Sequence, residues 1–237
     1  MPDKPRKPEL RLDWCSYAAA KWACEHWHYS GRLSKSRNVY IGVWEQDVFA
    51  GVVVFGMGSG NATLGTRYSL PAHGAMAELT RIALRPGHAT PVSRVIAIAL
   101  KLLRKQSPGL RLLTSMADLA QGHHGGIYQA AGWLYTGQTE PDVEYFYRGA
   151  WRHHRTVTST ASARGLPSRP CLPKHRYLMP LDDAMRKQIE PLRQPYPKRT
   201  PTSGVPVQQG TGGASPTRSL QNATGGPAAR HPVPGAS

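Results

Sequence analysis

The chain has 237 residues, with 30 Lys and Arg against 14 Asp and Glu, a formal net charge of +16 and a pI near 10.2. That length suits one core of ordinary size with extensions, and no apolar run approaches the roughly 20 residues that span a bilayer. Cys15, Cys24 and Cys171 are an odd, sparse set that argues for a reducing compartment without a disulfide framework, and Cys15 and Cys24, which lack zinc spacing, read as small buried hydrophobes. Residues 148–200 hold 12 Lys and Arg against Asp182, Asp183 and Glu190, which is +9 of the +16. With no sustained amphipathic helix there, the partner that this charge selects is nucleic acid rather than a membrane surface.

Residues 1–12 read as a flexible basic arm without the apolar core of a signal sequence. Asp13 is placed to cap a helix over about 14–27, which runs into His28-Tyr29-Ser30-Gly31. The runs 39–44 (VYIGVW) and 48–55 (VFAGVVVF), separated by Glu45-Gln46-Asp47, predict an antiparallel hairpin. Gly56 to Gly65 is a polar loop that no GK[ST] ends, so it is not a phosphate-binding P-loop. Met76 to Leu84 predicts a central strand. Thr90 as cap and Pro91 in the first turn open a helix whose apolar face is Val92, Val95, Ile96, Ala99, Leu100, Leu102 and Leu103. Pro108-Gly109 stops it, and 110–114 predicts a short buried strand. A polar loop with Ser115, Asp118 and Gly122-His123-His124-Gly125-Gly126 follows, then a helix bearing Tyr128. A last strand pair is expected at 133–137 and 143–147. Residues 201–237 contain no Lys, Asp, Glu, Phe, Trp or Tyr and predict a disordered tail. The expected architecture is α/β (α+β): a mixed central sheet flanked by helices over 13–147, a basic extension over 148–200, and the tail.

Ligands of α/β sheets sit beyond the carboxyl ends of strands, which places chemistry in the loop after residue 114. Asp118 suits a base or a cation ligand, or caps the next turn. Tyr128, a phenol with a pKa of about 10, suits a general acid or packs in the core. His28 and Tyr29 end the first helix, where an imidazole can move a proton, bind metal or simply meet the helix dipole. Glu78 and Arg81 lie three apart on one strand and are expected on opposite faces, Arg81 gripping a phosphate or carboxylate and Glu78 polarising an amine or water. His28, Asp118 and one of the adjacent pair His123 and His124, of which His124 is the candidate, could form a two-His-one-carboxylate iron set. Arg148, Arg152, Arg155, Arg164, Arg169, Lys174, Arg176, Lys198 and Arg199, interleaved with Trp151, His153, His154, Tyr177 and Tyr196, form the expected path for double-stranded DNA.

The order helix, hairpin, strand, helix, strand, helix, strand resembles GNAT-type acyltransferases. That likeness implies an acyl donor such as acetyl-CoA held at the turn before the second helix, through Gly87, Thr90, Val92, Ser93 and Arg94, and a tyrosine acid at Tyr128. The turn departs from the usual glycine-rich pattern, since only Gly87 remains and Pro91 lacks an N–H. A closer resemblance is carried by HYSGR from His28, by TPVSRVIAIALKLLRKQSPGLRLL, by ADLAQGHHGGIYQAAGWLYTG and by KHRYLMPLDDAMRKQI from Lys174 to Ile189. Over roughly 13–199 the chain resembles the Mom proteins of Mu-like bacteriophages. The resemblance implies an enzyme of the host cytoplasm that places a carbamoylmethyl (acetamido) group on adenine N6 and so evades restriction enzymes; it also implies iron. His28 or Asp118 would then accept the N6 proton, with Ser115 or Arg81 orienting the donor. A non-catalytic DNA-binding protein and an ordinary GNAT N-acetyltransferase are the rival readings, and the oligomeric state is left open.

Overall fold

The apolar runs of the sequence set the sheet. The computed structural model describes residues 9–57, 67–70 and 75–198; the first eight residues of the expected arm, most of the expected polar loop at 58–66, residues 71–74 and the expected tail from 199 lie outside the described residues. In chain order the elements are strand β1 (Leu10–Trp14), helix α1 (Tyr17–Trp27), strands β2 (Asn38–Glu45), β3 (Val48–Gly56) and β4 (Met76–Leu84), helix α2 (Val92–Gln106) and strand β5 (Leu112–Asp118). Then come helix α3 (Gly126–Ala130), strands β6 (Leu134–Gln138), β7 (Val143–Tyr147) and β8 (Ala150–His153), helix α4 (His154–Thr158), strands β9 (Ser168–Pro170) and β10 (Lys174–Pro180), and helix α5 (Asp183–Ile189). The main sheet has the order β1-β2-β3-β4-β5-β10-β6, and a small second sheet has the order β8-β7-β9. This is the expected mixed α/β architecture.

The β2–β3 hairpin closes on Gln46 and Asp47, both left-handed at φ 51° and 60°, a two-residue turn whose twist matches the strands. Helix α2 covers one face of the sheet with Val92, Val95, Ile96, Ala99, Leu100 and Leu103, packed with Phe55, Leu79, Leu113 and Tyr177. Helix α1 covers the other, where small residues Ala20, Ala23 and Cys24 permit close approach to Val52, Val54 and Ala83. Among the described residues no helix is long and apolar enough to cross a membrane.

Several expectations are corrected. Residues 10–14 are an edge strand paired with β2, from Leu10↔Glu45 to Trp14↔Ile41, so part of the expected arm belongs to the sheet. Helix α1 therefore starts later, capped by Ser16, whose Oγ accepts from Ala19 N at 3.2 Å, and not by Asp13. Thr90 does not cap α2: Pro91 is the N-cap residue and makes no side-chain cap bond. Strand β5 runs on to Asp118, so Ser115 and Asp118 lie on a strand and not in a loop. Strands β6 and β7 do not pair with each other; β6 pairs with β10, a strand from within the expected basic extension that completes the main sheet.

Candidate active site

Strands β4 and β5 run parallel but pair only at Met76↔Leu112, Ala77↔Leu113 and Glu78↔Thr114, although β5 continues four residues further. Beyond Thr114 the Ser115 hydroxyl bridges them, 2.8 Å from the Leu79 carbonyl oxygen. The two strands thus part towards their carboxyl ends and open a cleft in mid-sheet. On β4 the register against β3 slips: Val54 faces Arg81, whereas Phe55 faces Leu79. Thr80 is the extra residue of this β-bulge, and a bulge reverses the alternation of faces. Glu78 and Arg81, expected on opposite faces, consequently share the face covered by α1. Burial raises the Glu78 pKa, opposed by the charges of Arg81, Lys174 and Arg155.

His28 and Tyr29 follow α1 directly and reach the same place. Burial, then the Arg81 and His123 charges, push the His28 imidazole down to about 3, so it is neutral near pH 7. Ser30 N–H donates to His28 Nδ1 at 3.1 Å, and Ser30 Oγ stands 2.8 Å from the same nitrogen; with Nδ1 as the acceptor of the backbone N–H, the favoured tautomer carries its proton on Nε2. Tyr29 stacks beside His28, with ring centroids 4.3 Å apart, and meets His123 edge-on at 5.3 Å. Its pKa is raised by burial and by Asp118, against Arg81.

From β5 and the segment after it come the remaining groups. Asp118 accepts from Ala120 N at 3.0 Å and lies 3.6 Å from Lys174 Nζ at the start of β10. Tyr128 is buried, its hydroxyl 2.8 Å from Ser115 Oγ and its ring packed on Trp133 and Tyr177. Burial pushes its pKa up to about 12, helped by Tyr29, Glu78 and Tyr177, while the Ser115 hydrogen bond works the other way. Ser115 is buried too, and its hydroxyl lies between the Leu79 carbonyl and the Tyr128 hydroxyl, so it holds Tyr128 in place. Of the two adjacent histidines, His123 faces Tyr29, whereas His124 lies against Gly126 and its carbonyl accepts from the Tyr177 hydroxyl at 2.6 Å. Gly125, at φ 81°, has Tyr177 against the place where a Cβ would stand, so glycine is required there.

Three groups of expected residues fare differently. At the turn before α2 the sequence reading missed Glu45, which is only 3% exposed. Its carboxylate accepts from Ala89 N at 3.1 Å and Thr90 N at 2.7 Å, with Arg85 Nη2 at 3.3 Å. Burial alone would raise its pKa; these donors hold it at about 2. The amide of Thr90 in the expected coenzyme A cradle, and that of Ala89 beside it, are thus filled, Pro91 has none, and the Val92 side chain is in the core. The first-turn N–H groups of Val92 and Ser93, which no intrahelical carbonyl reaches, remain beside a fixed negative charge, with Gly87 and Arg94 exposed nearby. The residues of this turn fit a diphosphate poorly.

The metal expectation is also corrected: His28, Asp118 and His124 do not form a metal-capable cluster among the described residues. The three metal-capable side chains that cluster among the described residues are Asp142, His153 and His154, where each imidazole contacts one Asp142 oxygen, at 2.8 and 2.5 Å. Iron is not supported. Of the expected DNA path, Arg148, Arg152, Arg155, Arg164, Arg169 and Lys198 are exposed, Lys174 and Arg176 are half-buried, and Arg199 lies outside the described residues. Tyr177 is fully buried on the inner face of β10 and cannot touch DNA.

Comparison with known proteins adds to this geometry. A GNAT-family acetyltransferase from Desulfovibrio desulfuricans is similar over 73% of this chain and 100% of its own, at 14% identity and a TM-score of 0.41. The acetyltransferase yncA from Salmonella typhimurium, solved with acetyl-CoA, is similar over 74% and 95%, at 12% identity and a TM-score of 0.44. The methylcarbamoylase mom of Escherichia phage Mu is 30% identical over 206 residues, which is 80% of this chain and 84% of that protein. The model of the Mom protein family matches residues 9–198, the whole span that carries the cleft and the small sheet, and the chain belongs to the Mom protein family.

Proposed function

We propose that this chain is a phage or prophage transferase that acts on double-stranded DNA in the host cell and places a carbamoylmethyl group on adenine N6. The observation that supports this reading is that Arg81 acts on His28, Tyr29 and Glu78, Asp118 acts on Tyr29, and Tyr29 and Glu78 act on Tyr128, all beside the parting of β4 and β5, in a chain 30% identical to a methylcarbamoylase. The N6 lone pair is delocalised into the purine, so forming an N6–C bond requires loss of an N6 proton in the same step. Glu78, with its pKa raised by burial, is the group suited to take that proton. Asp118 at the rim accepts a hydrogen bond from the amino group as the base enters. Tyr128 stays protonated to well above neutrality and gives its proton to the departing group. Arg81 and the Nε2–H of His28 are donors for a carbonyl of the group being transferred. Reaching N6 in such a recess requires the adenine to leave the stack, at a cost of a few kcal/mol. Carbamoylmethyl is joined through CH2, so the co-substrate carries that carbon on a leaving group, which departs with the bonding pair and takes the Tyr128 proton as the N6–C bond forms; direct transfer from an acyl donor such as acetyl-CoA would leave an amide instead.

Mass analysis of nucleosides from DNA co-expressed with the chain tests this reading. The wild type yields modified adenine, and Glu78→Gln and Tyr128→Phe each lower it by about 10²–10⁴-fold. Unmodified DNA that is nevertheless retarded in a gel would establish the non-catalytic rival, and an acetylated protein or amine product would establish the ordinary acetyltransferase.

A further inference from the structure

The small sheet is inserted between β6 and β10. Gln138 of β6 pairs with His175, and Thr139 N donates to Lys174 O at 2.8 Å, so the insertion leaves and rejoins the main sheet at the end that carries Asp118. Arg155, which opens α4 just after β8, is close enough to act on Glu78. The insertion therefore stands at the mouth of the cleft. Its outermost part is the β7–β8 hairpin, closed by Arg148 and Gly149 at φ 52° and 73°. Arg152 Nε braces the turn by donating to Tyr147 O at 3.1 Å, and the Arg148 guanidinium lies 5.1 Å over the Tyr147 ring.

Phe146 and Trp151 are directly opposed across this hairpin and so share one face, where they meet edge-on at 5.5 Å. They are 43% and 37% exposed, on a hairpin that contributes nothing to the main core. Arg169 of β9 lies 4.4 Å over the Trp151 ring. Within residues 143–170 five arginines stand against one acid, Glu144, which is itself paired with Arg169 at 2.8 Å. Exposed apolar rings set in a cationic frame suit a polyanion that also offers flat apolar faces, which is a description of base-stacked DNA. A five-residue strand spans roughly 15 Å, ample for a groove about 8 Å deep.

We propose that the β7–β8 hairpin is a wedge that enters duplex DNA, with Phe146 and Trp151 stacking in the gap left by the extruded adenine and Arg148 gripping the backbone at the tip. The inference rests on the DNA-modification reading but concerns how the duplex is opened. Its test is binding, which needs no donor and is separable from transfer. Full-length wild-type chain and a Phe146→Ala/Trp151→Ala variant are titrated onto a matched duplex and onto the same duplex carrying a three-nucleotide bubble. The variant should lose about 10-fold or more on the matched duplex and stay within about 2-fold on the bubble, where opening costs nothing. Phe146→Leu, which keeps an apolar wedge, should bind both like the wild type and so guards against mere misfolding. Equal weakening on both substrates, or none on either, overturns the wedge. Lost adenine modification with this binding pattern intact would instead strike at the chemistry.

Discussion

Tyr128 is where the site is most sharply defined. Its ring is fixed by Trp133 and Tyr177 and its hydroxyl by Ser115, so position and protonation state are set by different neighbours. Ser115→Ala removes both hydrogen bonds of the hydroxyl, to Leu79 O and to Tyr128, but not the packing; modified adenine should fall far less than with Tyr128→Phe, by about 10-fold at most, with the Tm lowered by the loss of two buried hydrogen bonds, about 1–3 kcal/mol. Nucleoside mass analysis and a thermal melt of the same preparations check both parts; a Ser115→Ala variant as inactive as Tyr128→Phe would give the serine a direct role. The sequence pointed to His28, Tyr29, Asp118 and Tyr128 as polar side chains near element ends, but it left the structural alternatives level: Asp118 also caps a turn through Ala120 N, and Tyr128 also packs on Trp133 and Tyr177. Tyr177 was misread for the converse reason: interleaving with basic residues cannot tell the inner face of a strand from the outer. The choice between His123 and His124 was beyond sequence, since adjacent side chains diverge and only the backbone decides which one meets Tyr29.

At the scale of elements, one residue ties the hairpin to a helix. Glu45 ends β2, and its carboxylate satisfies the Ala89 and Thr90 amides ahead of α2, a site that would otherwise favour an external anion. Its folded pKa, about 2, lies below the ordinary value of 4.5, so the folded state binds this proton less readily than the unfolded one. The stabilisation, about 3 kcal/mol by linkage, is therefore complete above pH 4.5 and is lost as pH falls towards 2. Glu45→Gln should lower stability by about 1–3 kcal/mol near neutrality and flatten the acid limb between pH 4.5 and 2 in urea melts recorded across that range. An unchanged limb would show that Glu45 does not govern it. Elements with strong periodicity, β2, β3, β4 and α2, were legible because their apolar spacing leaves one arrangement. The bulge at Thr80 was not, since nine alternating residues read alike with or without an extra one, and that single residue decides whether Glu78 and Arg81 meet. Glu45 itself reads as a turn residue, because acids beside Gln-Asp ordinarily face water.

Over the whole molecule the charge is not merely in excess but placed. Strand β10 begins beside Asp118 and runs away from it to Pro180↔Leu112, so α5, with Arg186 and Lys187, starts at the far end of the sheet from the cleft. The small sheet and its arginines stand at the near end. Net composition cannot make this distinction: both groups lie within the same basic stretch of sequence, and only the direction of β10 separates them. Several of these cations are also committed internally, Arg193 to Glu190, Arg111 to Asp182 and Lys174 to Asp118, and so offer less to phosphate. Each cation that does neutralise a phosphate adds about 0.9 to the slope of log K against log salt. Replacing Arg148 and Arg164 by Gln should therefore reduce the magnitude of that slope by about 2 on duplex DNA, while Arg186→Gln with Lys187→Gln leaves it unchanged. The comparison holds net charge equal between the two variants. A uniform effect would mean that DNA responds to the total charge of the chain, whereas a loss confined to the first pair fixes the duplex across the mouth of the cleft, where Asp118 and Tyr29 stand.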